Sequence, residues 1–209
     1  MSIAFRRAAP PCLALGFALL GACASGPRPV EPGTEIDMGD FSVRSPKGAG
    51  WEVQENAKAG MVIFTRHRPG GADSAGNTMV LVATQVCLMK DPLPSQEALG
   101  NQWMDEEVRI MNTLGVKPGH YKLFEGQKGT TQIGGKRVQS MSYRQESPSR
   151  VGRDAWEMKS VVYTYFPANF QKTRRMYCFR IGELNYVNRP GNSTDLSQIA
   201  PVLESFRVK

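Results

Sequence analysis

Four cysteines and two histidines have the most scope here for nucleophilic, redox or metal chemistry, so their spacing is the first question. His67 and His120 belong to no HExxH or i, i+4 pair, and no two cysteines make a CxxC, so neither a metal nor another cofactor is expected. A Cys–His dyad needs an accessible thiolate beside an imidazole. Cys87 and Cys178 instead sit inside apolar, strand-like runs, where a thiol is buried and inert. His67 stands between Arg66 and Arg68, and His120 follows Pro118-Gly119, so both read as surface histidines. No serine occupies a G-x-S-x-G elbow. Gly129 to Arg137 (GTTQIGGKR) fails as a phosphate loop: Thr130 stands where the first glycine belongs, no Ser or Thr follows Lys136, and a hairpin is expected there. Glu107 falls within the apolar arc of a helix. It reads as an edge carboxylate reaching water or an arginine, with a pKa-raised acid in a pocket as the alternative; glycoside hydrolysis would need a second carboxylate beside it. No catalytic residue is assigned, and the chain reads as a non-enzyme.

Cys23 has a different setting. Arg6 and Arg7 give a positive start, Leu13 to Leu20 is almost purely apolar, and Leu20-Gly21-Ala22 lead into the cysteine. A secretory signal peptide over residues 1–22 has that layout. The run from Cys12 to Ala22 is about half the roughly twenty apolar residues that span a bilayer, which excludes a transmembrane anchor. Leu20 is large where an ordinary cleavage site wants a small residue. Leu20-Gly21-Ala22-Cys23 resembles a bacterial lipobox. The resemblance implies a diacylglyceryl group on the Cys23 thiol, often with a third chain on the new amino terminus, and two or three chains anchor a protein stably. Ala24 and Ser25 follow, not the aspartate linked to inner-membrane retention in some bacteria. The expected location is the bacterial cell envelope, at the outer membrane facing the periplasm.

Residues 24–37 (ASGPRPVEPGTEID) are rich in Pro, Gly and charge and lack apolar periodicity. With Cys23 they read as a flexible tether over 23–37, able to reach about 45 Å at full extension. Residues 38–209 remain for one globular domain. Cys87 and Cys178 are then the last two thiols, and an even pair in an oxidising compartment favours a disulfide, with two packed thiols as the alternative. The formal net charge of +7 is unevenly spread: residues 24–116 carry 8 basic and 12 acidic side chains, and residues 117–209 carry 16 and 7. Lys136, Arg137, Arg150, Arg153, Lys172, Arg174 and Arg175 are the candidates for a surface that meets an anionic envelope component or another envelope protein. A merely solubilising surface is the alternative. Nucleic acid is not an expected partner, since no aromatic-interleaved basic motif is present.

These groups must be positioned by the elements around them. Phe41 and Val43 open a strand, Ser45-Pro46-Lys47-Gly48 turn, Trp51 and Val53 begin another strand, and Gly60 to Arg66 make a third. Thr78 to Met89 is apolar on both faces, as a central strand covered on both sides would be. Ser95 is a plausible N-cap for a helix to Leu114, stopped by Gly115, with Leu99, Trp103, Ile110 and Leu114 on its apolar side and Met104, Val108 and Met111 beside them. Four strand-like segments follow, at Tyr121 to Ile133, Arg137 to Gln145, Trp156 to Phe166 and Arg174 to Ile181, with Gly134-Gly135 marking a hairpin. Leu196, Ile199, Leu203 and Phe206 have helical spacing, and Pro201 predicts a kink or late start. The expected fold class is α+β, a largely antiparallel sheet with helices on its faces.

This order resembles the PsbP/Mog1-like family of α/β/α sandwiches. The resemblance is carried by Phe41-Ser42-Val43-Arg44-Ser45-Pro46 leading to Gly50-Trp51, by Gly60 to Thr65, and by Leu203-Glu204-Ser205-Phe206-Arg207. It implies a non-catalytic accessory or binding module, with no catalytic residues to carry over. The alternatives are a periplasmic carrier of a lipid or small apolar ligand, and an unrecognised hydrolase. A large apolar cavity would favour the carrier, and convergent polar groups in a cleft would favour the hydrolase. Changing Cys23→Ser should block lipidation and leave the protein uncleaved or released. Mass spectrometry that finds an unmodified mature Cys23 in membrane-bound wild type would refute the anchor.

Overall fold

A computed structural model describes residues 26–67, 77–87, 93–114, 122–147, 155–186 and 196–209. Eleven strands and three helices are defined among them: β1 Arg28–Pro29, β2 Glu35–Asp37, β3 Phe41–Arg44, β4 Trp51–Asn56, β5 Met61–Arg66, β6 Asn77–Val86, α1 Gln96–Leu114, β7 Lys122–Ile133, β8 Lys136–Ser147, β9 Trp156–Tyr165, α2 Phe170–Thr173, β10 Arg175–Tyr186, α3 Leu196–Glu204 and β11 Arg207–Val208. Eight strands form one sheet in the order β1-β4-β5-β6-β10-β9-β8-β7, and a second sheet has the order β11-β3-β2. All the pairings are antiparallel, whether the strands are consecutive in the chain or not.

The large sheet is covered on both faces, as the expected class demands. One face packs on α1: Leu99, Trp103, Met104 and Val108 meet Met141, Tyr143, Val162, Met176 and Cys178. Ser95 caps this helix as expected, accepting the Ala98 N–H on its Oγ at 3.1 Å. Gly100 leaves room for the Gln139 amide where α1 crosses β8: a Cβ there would fall 1.4 Å from Gln139 Oε1, and that side chain would have to move aside. The other face packs on α3 and on the small sheet through Phe41, Val43, Ile199, Val202 and Phe206. β6 is central, between β5 and β10, and sends Val80 and Val82 to this second core while Ala83 faces the other side. Gly134 and Gly135 both have positive φ and close the β7–β8 hairpin, whose tip approaches the Glu204 backbone.

Three expectations need correction. Phe41–Arg44 does not join the main sheet; it is the middle strand of the small one, and Gly48 and Gly50 at positive φ turn the chain between the two. The second face is therefore covered by a sheet as well as by a helix. The tether is also shorter than its composition predicts. Arg28–Pro29 pairs with β4 and Glu35–Asp37 with β3, and Val30, Ile36 and Met38 are buried. Pro, Gly and charge disguise a segment whose apolar residues are few but well placed. Of the kink or late start expected from Pro201, the late start does not occur: α3 begins at Leu196 and runs through Pro201.

Phe206 is fully buried, with ring centroids at 4.9 Å from Phe179, 5.0 Å from Tyr177, 5.6 Å from Phe41 and 5.9 Å from Tyr165. Phe206→Ala should cost about 3–5 kcal/mol, read as a lower urea midpoint at unchanged slope. A loss under about 1 kcal/mol would show that the small sheet stays docked without the ring.

Candidate functional site

The strand register assigns each turn to one end of the large sheet. Asn56 pairs with Met61, Met61 with Ala83, Val86 with Arg175, Tyr177 with Tyr165, and Ile133 with Lys136. The β4–β5 turn, the β9–α2–β10 connection and the β7–β8 hairpin tip therefore share one end. Lys58 sits on the first, Lys172, Arg174 and Arg175 on the second, and Lys136 and Arg137 on the third. The small sheet adds its own turn there, because Arg175 forms an ion pair with Asp40. Lys209 reaches the same turn, its N–H donating to the Asp40 carbonyl at 3.0 Å and its ammonium to Asp37 at 2.6 Å.

Five of the seven basic residues singled out in the sequence are thus brought to one end of the sheet. They are not equivalent. Arg137 and Lys172 are exposed. Lys136 is half-buried; burial, and next the charge of Arg207, pull its ammonium pKa below the usual lysine value. Arg174 is partly buried in the left-handed conformation (φ 58°), and its carbonyl accepts the Cys87 N–H at 2.8 Å, so it shapes the turn. Arg175 is balanced by Asp40. Arg150 and Arg153 lie outside the described residues. Cys23, His120 and the Glu107 side chain also lie outside what is described. His67 is exposed, as expected, 3.9 Å from Glu52.

The acidic first half and basic second half do not form separate faces. Lys128 pairs with Asp105, Arg175 with Asp40 and Lys209 with Asp37, each joining a basic residue of the second half to an acid of the first. Asp37 is held below the usual carboxylate range by the Lys209 hydrogen bond, then by the Gly39 N–H. Sequence reasoning passed over Lys58 and Arg207, both exposed at this same end. Only the pairing of β11 with β3 brings Arg207 there, and its guanidinium donates to the Glu204 and Phe206 carbonyls at 2.9 Å, closing the end of α3.

A groove of about 400 Å³ runs from this end along α3 and β3, lined in part by Ser42, Arg44, Lys47, Glu204 and Arg207. Ser205 Oγ there accepts the Arg44 N–H at 2.7 Å, and Lys47 N–H donates to the Gln198 carbonyl at 2.7 Å. A second, polar cleft of about 380 Å³ lies between α1 and β7, with Glu97, Asn101, Lys128 and Thr130 on its walls. Among the described residues no hydrogen bond joins a hydroxyl of either cleft to a basic side chain that would activate it. An apolar hollow bounded by Ile133, Val138, Tyr165, Phe179 and Leu203 holds only about 10 Å³. The described histidines, cysteines and acids form no group of three that could hold a metal ion. The side chain least expected from the pattern is Arg180, buried on the α1 face between Leu81 and Val162, where burial pulls its pKa down to about 10.

The expected Cys87–Cys178 bridge is corrected. Both thiols are buried and they are not joined. Cys178 stands opposite Ala83, whereas Cys87 lies four residues further along at the level of Arg174. At about 3.3 Å per residue they are roughly 13 Å apart, beyond the ~7 Å that a disulfide spans.

Fold and surface together define, among the described residues, an α+β sandwich with a basic end, a groove along α3 and β3 and a polar cleft between α1 and β7. No family model and no curated protein matches the chain. Among solved structures it is similar to LpqN of Mycobacterium tuberculosis, described as involved in cell envelope biogenesis, at 10% identity over 88% of this chain and 91% of that one, with a TM-score of 0.43. It is also similar to cyanobacterial PsbP (CyanoP) from Synechocystis sp. PCC 6803, at 17% identity over 91% and 99%, with a TM-score of 0.47. Such identities transfer no residue role, so the functional reading rests on the chain's own surface. Alkylation of the unfolded, unreduced protein should label both Cys87 and Cys178; protection of both until a reductant is added would restore the bridge.

Proposed function

We propose that this chain is a lipid-anchored envelope protein whose domain works by binding an anionic component, without catalysis. The observation that carries the reading is the gathering of Lys58, Lys136, Arg137, Lys172 and Arg207 at one end of the sheet, after Asp37 and Asp40 have been taken by Lys209 and Arg175. Exposed cations of one sign raise the local concentration of anions and speed their encounter, and both effects weaken with salt. The lipobox-like Leu20-Gly21-Ala22-Cys23 supports the anchor, and no helix among the described residues is long and apolar enough to cross a membrane. Among the described residues the apolar hollow holds about 10 Å³, whereas a carrier of lipid or small apolar ligands would take an apolar cavity of several hundred Å³.

Charge placement separates this reading from a merely solubilising surface. In detergent-solubilised protein, Arg137→Glu with Lys172→Glu should weaken binding to soluble polyphosphate about tenfold at low salt, since each reversed charge removes an attraction worth a fraction of a kcal/mol. Arg144→Glu with Lys159→Glu changes net charge equally on strands away from this end and should have a much smaller effect. Equal losses from the two double variants would show that only net charge matters.

A further inference from the structure

Resting on that reading, we propose that the basic end of the sheet is the face the domain turns toward the anionic headgroups of the bilayer that holds its Cys23 anchor. Two observations meet here, one of chain direction and one of charge. β1 runs antiparallel to β4, with Arg28 opposite Val53 and Pro29 opposite Glu52. Traced back from Arg28 toward Cys23, the chain therefore heads toward Asn56 and the β4–β5 turn, which is the end that carries Lys58. The Arg28–Glu55 ion pair lies in the same direction. Val30 fixes the segment by burying its side chain and donating its N–H to the Trp51 carbonyl at 3.0 Å.

Docking of β1 shortens the link. Four residues separate Cys23 from Arg28, and these five Cα-to-Cα steps span at most about 17 Å, against the roughly 45 Å of an undocked tether. An anchored domain on so short a link stays near the headgroups, and the end from which the link emerges is the end nearest them. Lys58, Lys172, Arg137 and Lys136 lie along that end, from the β4–β5 turn to the β7–β8 tip, a width of about six strand spacings or ~29 Å. Arg207 adds a further charge from the small sheet. Among the described residues the acids of this end are Asp37, Asp40 and Glu55, paired with Lys209, Arg175 and Arg28, and Glu204. Each contact is weak alone, but the anchor makes it intramolecular, so a small attraction is enough to set the orientation.

Lysine acylation by a water-soluble reagent tests this on the full-length lipidated protein. In vesicles of phosphatidylcholine with phosphatidylglycerol, Lys58 and Lys172 should react about threefold more slowly than in phosphatidylcholine alone, while Lys159 reacts equally in both. Twenty Gly/Ser residues inserted between Ser25 and Gly26 should remove most of that protection without altering the fold. Equal reactivity in the two kinds of vesicle would overturn the proposal. If soluble polyphosphate still protected Lys58 and Lys172, the anion-binding reading would stand and the bilayer alone would be excluded as occupant. If polyphosphate also failed to protect them, both readings would fall.

Discussion

The packing of Phe206 is the interaction on which the rest of the architecture depends. Its ring comes from the segment after α3, yet it lies against Phe179 and Tyr177 of β10, Tyr165 of β9 and Phe41 of β3. One side chain thus joins the terminal segment, the small sheet and the middle of the large sheet. Edge-on aromatic contacts add directional preference to the area buried, so the ring fixes angles as well as distances. With Phe206 in place, β11 meets β3 and Arg207 is carried to the end of the sheet. The hairpin tip at Gly134 then closes on Glu204 and brings Lys136 beside it.

Antiparallel topology also controls the electrostatics. A chain with acids concentrated early and bases late would be strongly polarised if its halves folded apart. Here β6 of the first half pairs with β10 of the second, and the small sheet combines β2 and β3 with the last residues. Acids at Asp37, Asp40 and Asp105 consequently meet Lys209, Arg175 and Lys128. What survives is local: an excess of positive charge at the end where three turns of the sheet and the chain terminus converge. These surface pairs contribute little stability, because exposed ion pairs are screened and cost side-chain entropy. Their effect is on where the unbalanced charge is left.

Much of this was legible in the sequence because local rules operate on neighbouring residues. Ser95 as an N-cap, the Gly134-Gly135 hairpin, the two-faced β6 and the apolar side of α1 are all decided within a few residues of the chain. Two signals misled. Residues 24–37 look like a linker because Pro, Gly and charge dominate their composition. Docking was decided instead by Val30 and Ile36, two side chains whose partners lie elsewhere in the chain. Cys87 and Cys178 looked like a pair because only two thiols remained, but counting carries no distance, and the β6–β10 register keeps them apart.

By itself, then, the sequence determined the two-sided sheet, the amphipathic helix, the signal-like start with Cys23 at its end, and the surplus of basic residues. Each is a property of spacing or composition, and the backbone enforces it locally. Tertiary structure alone decided which strands are neighbours and which turns share an end. It also decided that the first strand of the sequence reading belongs to a second sheet. Those outcomes depend on long-range register, and sliding one strand by a single residue would exchange its buried and exposed faces. The basic end belongs to this second class. Lys58 and Lys172 are far apart in the chain, and nothing local relates them; β4, β5, β6 and β10, paired in that order, put them on the same side of the molecule.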